Sequence, residues 1–236
     1  MAGAILLFLS GLLLGAMGGA LGYHLWQARQ PKGPEVKDAP LPPTGGTSDP
    51  FAQHWSQKLL ELLDWRVFRD VVAAYIRQLG FEVKARAPDA NGVIELEGFD
   101  PATGKPAMLV RCQAWDRELV DDRAVLDLHA AMAAAGVTQG AYLTTGRFTP
   151  AAVTAVAAHN IDLVSGSELL ERVGQLPLAA QNHLLNLATE EHYAMPTCPI
   201  CNVKMVRRMT VTAGRPGVYF WGCRNFPRCE RTFPAV

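Results

Sequence analysis

Four cysteines have types and spacing that specify chemistry: Cys198, Cys201, Cys223 and Cys229. Cys198-Pro-Ile-Cys201 is a C-x2-C knuckle, and the wider C-x5-C pair follows after 21 intervening residues. A knuckle sets two thiolates on one side of a tight turn, and a second pair completes a tetrahedron for Zn²⁺. Four thiolates fill the coordination sphere, so the expected zinc is structural, with no open position for a water. Its binding would supply most of the folding energy of so small a module. Two disulfides or four free thiols are the rival readings. A reducing compartment argues against the disulfides, and the clustering argues against isolated thiols.

A second stretch with chemical content is "LVRCQAW", residues 109–115. The apolar lead-in reads as a buried strand delivering Arg111 and Gln113 to a site. Cys112, between them, reads as a buried and inert thiol.

The elements that must position these groups follow from periodicity. "HWSQKLLELLDWRVFRDVVAAYIRQLG" has helical spacing, with Leu59, Leu63, Val67, Val71 and Tyr75 recurring near every fourth residue and Gly80 as the stop. "FEVKAR", "NGVIELEGFD" and "AMLVRCQAW" read as three strands. A helix over "DDRAVLDLHAAMAAAG" opens at an Asp pair and closes at Gly136. "GAYLTTG" is a strand, and the helix after it has Thr149 as N-cap and Pro150 at its first position. "IDLVSG" is a short strand, and a last helix, "SELLERV", is capped by Ser167. The order α-β-β-β-α-β-α-β-α predicts an α/β fold, a mixed sheet flanked by helices, over residues 51–175. Residues 176–193 read as a helical connector and 194–236 as the zinc ribbon.

The chain begins differently. Ala4 to Trp26 contains no Asp, Glu, Lys or Arg, long enough to cross a hydrocarbon core of roughly 30 Å. Residues 1–26 therefore read as a transmembrane anchor, since the charged start of a signal peptide is missing. The first charges after it, Arg29, Lys32 and Lys37, favour a single-pass protein of the inner membrane with its C-terminal domains in the cytoplasm. Gly11, Gly15, Gly18 and Gly22 share one helical stripe that would let a second copy approach. Residues 27–50 hold six prolines and no apolar period, a proline-rich linker.

Formal charge is balanced, with 22 basic and 22 acidic residues, but it is segregated. Residues 194–236 carry seven basic groups against Glu230 alone, while 51–175 carry 12 basic and 16 acidic. A small basic module on an acidic body attracts polyanions, of which nucleic acid is the usual one.

Two resemblances sharpen this. "CPICNVKMVRRM…GVYFWGCRNFPRCERTF" resembles the C-terminal zinc ribbons of type IA topoisomerases, through the Cys-Pro-x-Cys opening, Trp221-Gly222-Cys223, and the close Asn225-Phe226-Pro227-Arg228-Cys229. The resemblance implies contact with single-stranded DNA. Arg207, Arg208, Arg224 and Arg228 would supply charge, and Trp221 and Phe226, with Tyr219 and Phe220, stacking faces. Residues 65–173 resemble the catalytic domain of Mrr-type restriction endonucleases, in the PD-(D/E)xK superfamily. The matching stretches are "FRDVVAAYIRQLGFEV", "NGVIEL", "LVRCQAW", "LDLHAAMAAAGVTQGAYLTTGRFTPAA" and "IDLVSGSELL".

The family's chemistry implies a Glu after the helix Phe, an Asp in Gly-Val-Asp-Leu, and (Glu/Gln)-x-Lys on the next strand. The carboxylates hold Mg²⁺, which activates water, and the lysine orients that water. Read gap-free, this sequence departs at each position: Arg69 in the helix, Ile94 in the acid slot, and Arg111 and Gln113 in the strand. Glu95 is the possible substitute, reached by a one-residue shift or bulge. Arg69, Arg111 and Arg147 would meet a phosphate directly, or Arg111 would pair with a local acid, Asp70 or Glu95. The expectation is a membrane-anchored, Mrr-like DNA-binding protein with a degenerate nuclease site, with Mg²⁺ only if that site is active. An endonuclease using Glu95 and a membrane-associated protein-interaction scaffold remain as alternatives.

Overall fold

The computed structural model of the chain describes residues 35–40, 51–86, 93–114, 119–190, 192–211 and 217–235. The anchor 1–26 with its glycine stripe, most of the linker, and Trp115 lie outside the described residues. Among the described residues no helix is long and apolar enough to cross a membrane. The chain divides into two compact units. One is Met1–Lys37 with Met209–Val218, and the other is Asp38–Arg208 with Tyr219–Val236. In the first unit, Thr210 and Val218 pair, the Thr210 N–H donating to the Val218 carbonyl at 3.0 Å.

The strands are β1 (Glu35–Asp38), β2 (Glu82–Ala85), β3 (Ile94–Phe99), β4 (Pro106–Gln113), β5 (Gln139–Thr144), β6 (Ile161–Val164), β7 (Val206–Val211), β8 (Tyr219–Gly222) and β9 (Thr232–Pro234). The helices are α1 (Gln57–Leu62), α2 (Trp65–Gln78), α3 (Asp122–Ala135), α4 (Pro150–Ala155), α5 (Gly166–Gly174) and α6 (Leu178–Ala188). A five-stranded sheet runs β2-β3-β4-β5-β6. Its β2-β3 and β3-β4 pairs are antiparallel, and β4-β5 and β5-β6 are parallel, which is the expected mixed sheet.

The helix boundaries follow local chemistry. Thr149 caps α4 through its side chain, with Pro150 at the first position, and Gly136 closes α3 in the left-handed region. The last helix of the expected fold begins earlier than "SELLERV": Ser165, not Ser167, is its N-cap, in a capping box with Glu168. Gly166 is required there, because a Cβ would lie 2.6 Å from the Thr145 carbonyl oxygen.

Helix packing separates the two faces of the sheet. On one, Ile94, Leu96, Val110, Cys112 and Leu143 join Phe68, Val72 and Ile76 of α2 in the main core. On the other, Leu109, Tyr142 and Ile161 meet Val125, Leu128 and Met132 of α3. The alternation of buried and half-buried residues in β3 is the period-2 signature of a strand with one apolar face.

Two expectations are corrected. The long first helix is two helices, broken at Leu63-Asp64. Asp64 is fully buried, and its carboxylate accepts from the Thr197 N–H (3.1 Å), the Thr197 hydroxyl (2.6 Å) and Lys204 Nζ (2.9 Å). Trp65, next in sequence, donates its indole N–H to the Thr197 carbonyl at 2.7 Å. A buried carboxylate must be paired and hydrogen-bonded, and its partners here come from the cysteine-bearing tail. Within residues 176–193, Leu178–Ala188 is helical, yet this segment is more than a connector. Leu184, Ala188 and Tyr193 belong to the main core.

Lys204→Met would leave the buried Asp64 carboxylate without its cation. We expect a loss of about 3 kcal/mol, read as a lowered urea midpoint.

Candidate functional site

Strand pairing decides which side chains share the site. In β3 and β4, Ile94 lies opposite Cys112 and Glu95 opposite Arg111. Ile94 is 1 % exposed in the core, and Glu95 lies on the other face of β3 without a bulge, because the irregularity in this pair falls at Gly98/Phe99. Side chains two apart on a strand share a face, and this puts Arg111 and Gln113 beside Glu95.

The electrostatics of the cluster are those of a closed ion network. Arg111 donates through Nε (3.0 Å) and Nη2 (2.8 Å) to Glu95 Oε1. Arg86 reaches Glu95 Oε2 at 3.2 Å and also bonds Glu97. Gln113 Oε1 accepts from the buried Tyr142 hydroxyl at 2.7 Å. Arg69 is held by its neighbour, Nε to Asp70 Oδ1 at 2.8 Å, and stands 5.8 Å from the Trp65 ring centroid. The expectation that Arg111 pairs with a local acid is the arrangement observed, with Glu95 as that acid. Among the described residues, no three carboxylates, histidines or thiols converge here.

Cys112 points the other way, into the core. Burial pushes its thiol up to about 12, with Arg69 opposing that shift and Asp70 reinforcing it. A thiol so raised stays protonated and unreactive.

The four tail cysteines do converge: their sulfurs all lie within 4.8 Å of one another. Sulfurs at two corners of a tetrahedron, each ~2.3 Å from a central zinc, stand ~3.8 Å apart. Cys198 Sγ and Cys229 Sγ are 3.7 Å apart, so the donor set fits a tetrahedral thiophilic ion. Each pair comes from a turn, one at Cys198–Asn202 and the other closed by the Cys229 N–H donating to Asn225 at 3.2 Å.

Of the residues expected to touch nucleic acid, Arg224, Phe226 and Arg228 are exposed. Trp221 is 7 % exposed and packs with Cys198, Met205 and Cys223 in the core of the cysteine-bearing tail. Arg207 lies 4.1 Å from the centroid of the Tyr219 ring, and Arg208 5.3 Å from that of Phe226. Sequence reasoning missed Asp64, Thr197 and Lys204. An acid set between the apolar Leu63 and Trp65 was the available signal for Asp64.

Cys112 should resist iodoacetamide at pH 8 in the folded chain and react within minutes in denaturant. Peptide mass mapping of both samples reads the difference.

The restriction endonuclease family Mrr_cat matches residues 60–173. A search of the curated proteins returned no match. Among solved structures, the chain is similar to the DNA modification-dependent restriction endonuclease AspBHI, at 14% identity and a TM-score of 0.39, over 62% of this chain and 44% of that one. It is also similar to the MspJI restriction endonuclease in complex with a 27-mer oligonucleotide, at 19% identity and a TM-score of 0.34, over 85% of this chain and 42% of that one. The chain thus spans less than half the length of either. With the mixed sheet and its helices in place, residues 60–173 are a domain of the Mrr-type restriction endonuclease family.

Proposed function

We propose that the protein is a membrane-anchored DNA-binding member of this family whose hydrolytic site no longer works, joined to a structural zinc ribbon. The observation that carries the reading is the pairing of Glu95. The one acid in the expected place spends both oxygens on guanidinium groups, Oε1 on Arg111 and Oε2 on Arg86. A divalent cation would have to displace both arginines, and like charges at this distance repel it. Where the family lysine would orient water there is Gln113, an amide that can neither take nor give a proton at neutral pH.

DNA is the expected polyanion, on the strength of the family and of the basic ribbon. The exposed Arg224 and Arg228 flank the exposed Phe226, charges for phosphates beside a face for a base. Of the relatives, MspJI is described in complex with an oligonucleotide. Zinc would be held by Cys198, Cys201, Cys223 and Cys229 and would act only as a cross-link. The anchor over residues 1–26 would hold these parts at the cytoplasmic side of the inner membrane.

A second reading, an endonuclease built on Glu95, has one observation in its favour: Glu95 is an acid on the same face of the sheet as Arg111 and Gln113. The full chain incubated with varied DNA and Mg²⁺ or Mn²⁺ separates the two. We expect no cleavage, together with DNA affinity that falls steeply between 50 and 200 mM salt, as it does for about four or more phosphate contacts. Metal-dependent cleavage abolished by Glu95→Ala would establish the second reading. Retained affinity that ignores salt would point to the scaffold alternative.

Elemental analysis of the purified chain should give about one zinc per chain. Cys198→Ser should lose the metal and lower the thermal midpoint, since the knuckle adjoins the Thr197 contact to Asp64.

A further inference from the structure

The two arginines of the ribbon strand nearest the exposed rings, Arg207 and Arg208, are already engaged by another part of the chain. Asp38, Ala39 and Pro40, in the middle of the proline-rich linker, lie along the start of β7. The Ala39 N–H donates to the Arg207 carbonyl at 2.9 Å. Arg207 Nη1 donates to the Pro40 carbonyl, also at 2.9 Å. The Asp38 carboxylate stands 3.5 Å from Arg208 Nε, which makes no hydrogen bond among the described residues. Both guanidinium groups also sit over aromatic rings, Tyr219 and Phe226, that are 41% and 55% exposed.

That arrangement is chemically the one a single-stranded nucleic acid would make. A carboxylate takes the place of a phosphate at Arg208, and a carbonyl oxygen takes another at Arg207. The strap is also weak. Asp38 is 82% exposed, so its attraction to Arg208 is screened by solvent. A polyanion that releases counterions on binding would outcompete it, whereas a single small anion would not.

We propose that Asp38–Pro40 is a built-in competitor for the ribbon's nucleic-acid surface, covering Arg207 and Arg208 until a single strand displaces it. The proposal rests on the reading of the ribbon as a nucleic-acid binder and adds the regulation of that surface. It also ties linker position to binding. Tension on the linker between the ribbon and the preceding segment would change how much of the surface is open.

The test uses the full chain in detergent solution and a fluorescent oligo-dT 20-mer at fixed salt. Ala39→Pro removes the donor to Arg207 without changing charge, and a residue before a proline is biased toward the extended region that proline itself adopts. We expect roughly threefold tighter dT binding for Ala39→Pro and for Asp38→Asn. Asp49→Asn, which removes the same charge elsewhere in the linker, should change affinity less than Asp38→Asn, and Arg207→Ala should weaken binding. Hydrogen exchange reports the strap without reference to DNA. The Ala39 amide should be protected in the free chain and become exposed when dT saturates it. An unprotected Ala39, or affinities of Ala39→Pro and Asp38→Asn no tighter than that of Asp49→Asn, overturns the strap and leaves DNA binding by the ribbon standing. A protected Ala39 with no dT binding by any variant overturns the nucleic-acid reading of the ribbon, and the competition with it.

Discussion

A carboxylate with no access to water has to be answered by the protein around it, and Asp64 imposes that demand on the whole fold. It interrupts what would otherwise be one long helix. It takes two hydrogen bonds from Thr197 and one from Lys204, residues more than 130 positions away. Lys204 in turn donates to the carbonyls of His192 and Met195, closing the loop that leads into the first cysteine knuckle. Desolvating a charge is expensive, and only complete pairing recovers the cost. The start of α2, the turn at residues 192–197 and the first pair of thiols are therefore fixed together. The cysteine module is not an appendage on a flexible tether.

The candidate site obeys a simpler rule, the two-residue period of a strand. Once Ile94 is committed to the core opposite Cys112, Glu95 must face Arg111 and Gln113. The same geometry that serves a metal in a carboxylate-rich site here yields an ion network, because the position beside the acid is a guanidinium. Arg111 satisfies Glu95 at close range, Arg86 adds a second cation, and Tyr142 occupies the amide of Gln113. A family frame is retained while the polar groups within it bond to one another.

Much of this was legible in the residues. Alternating apolar positions, Thr149-Pro150, the Asp pair at 121–122 and Gly136 located most strands and helices, because capping and turn chemistry are local. The four cysteines announced themselves by spacing. The reading "Gly92-Val93-Ile94" matched letters to an acid slot, and the register adds that Ile94 lies opposite Cys112 in the core while Glu95 lies opposite Arg111. Trp221 was a second position with two readings. An aromatic beside a cysteine reads equally well as platform or as core, and only the packing against Met205 and Cys198 distinguishes them.

The sequence by itself determined the order of the elements, the four-cysteine set of the tail and the presence of an amide, Gln113, two residues after Arg111. Each is a matter of residue identity or of contacts within a few positions. Only the tertiary structure decided that Glu95 stands in the site, that its charge is taken up by Arg111 and Arg86, and that Asp64 binds the tail to the body. Those outcomes depend on which distant groups arrive within about 3 Å of one another. Hydrophobic spacing fixes which face a residue is on, but it does not say which charge will be waiting there.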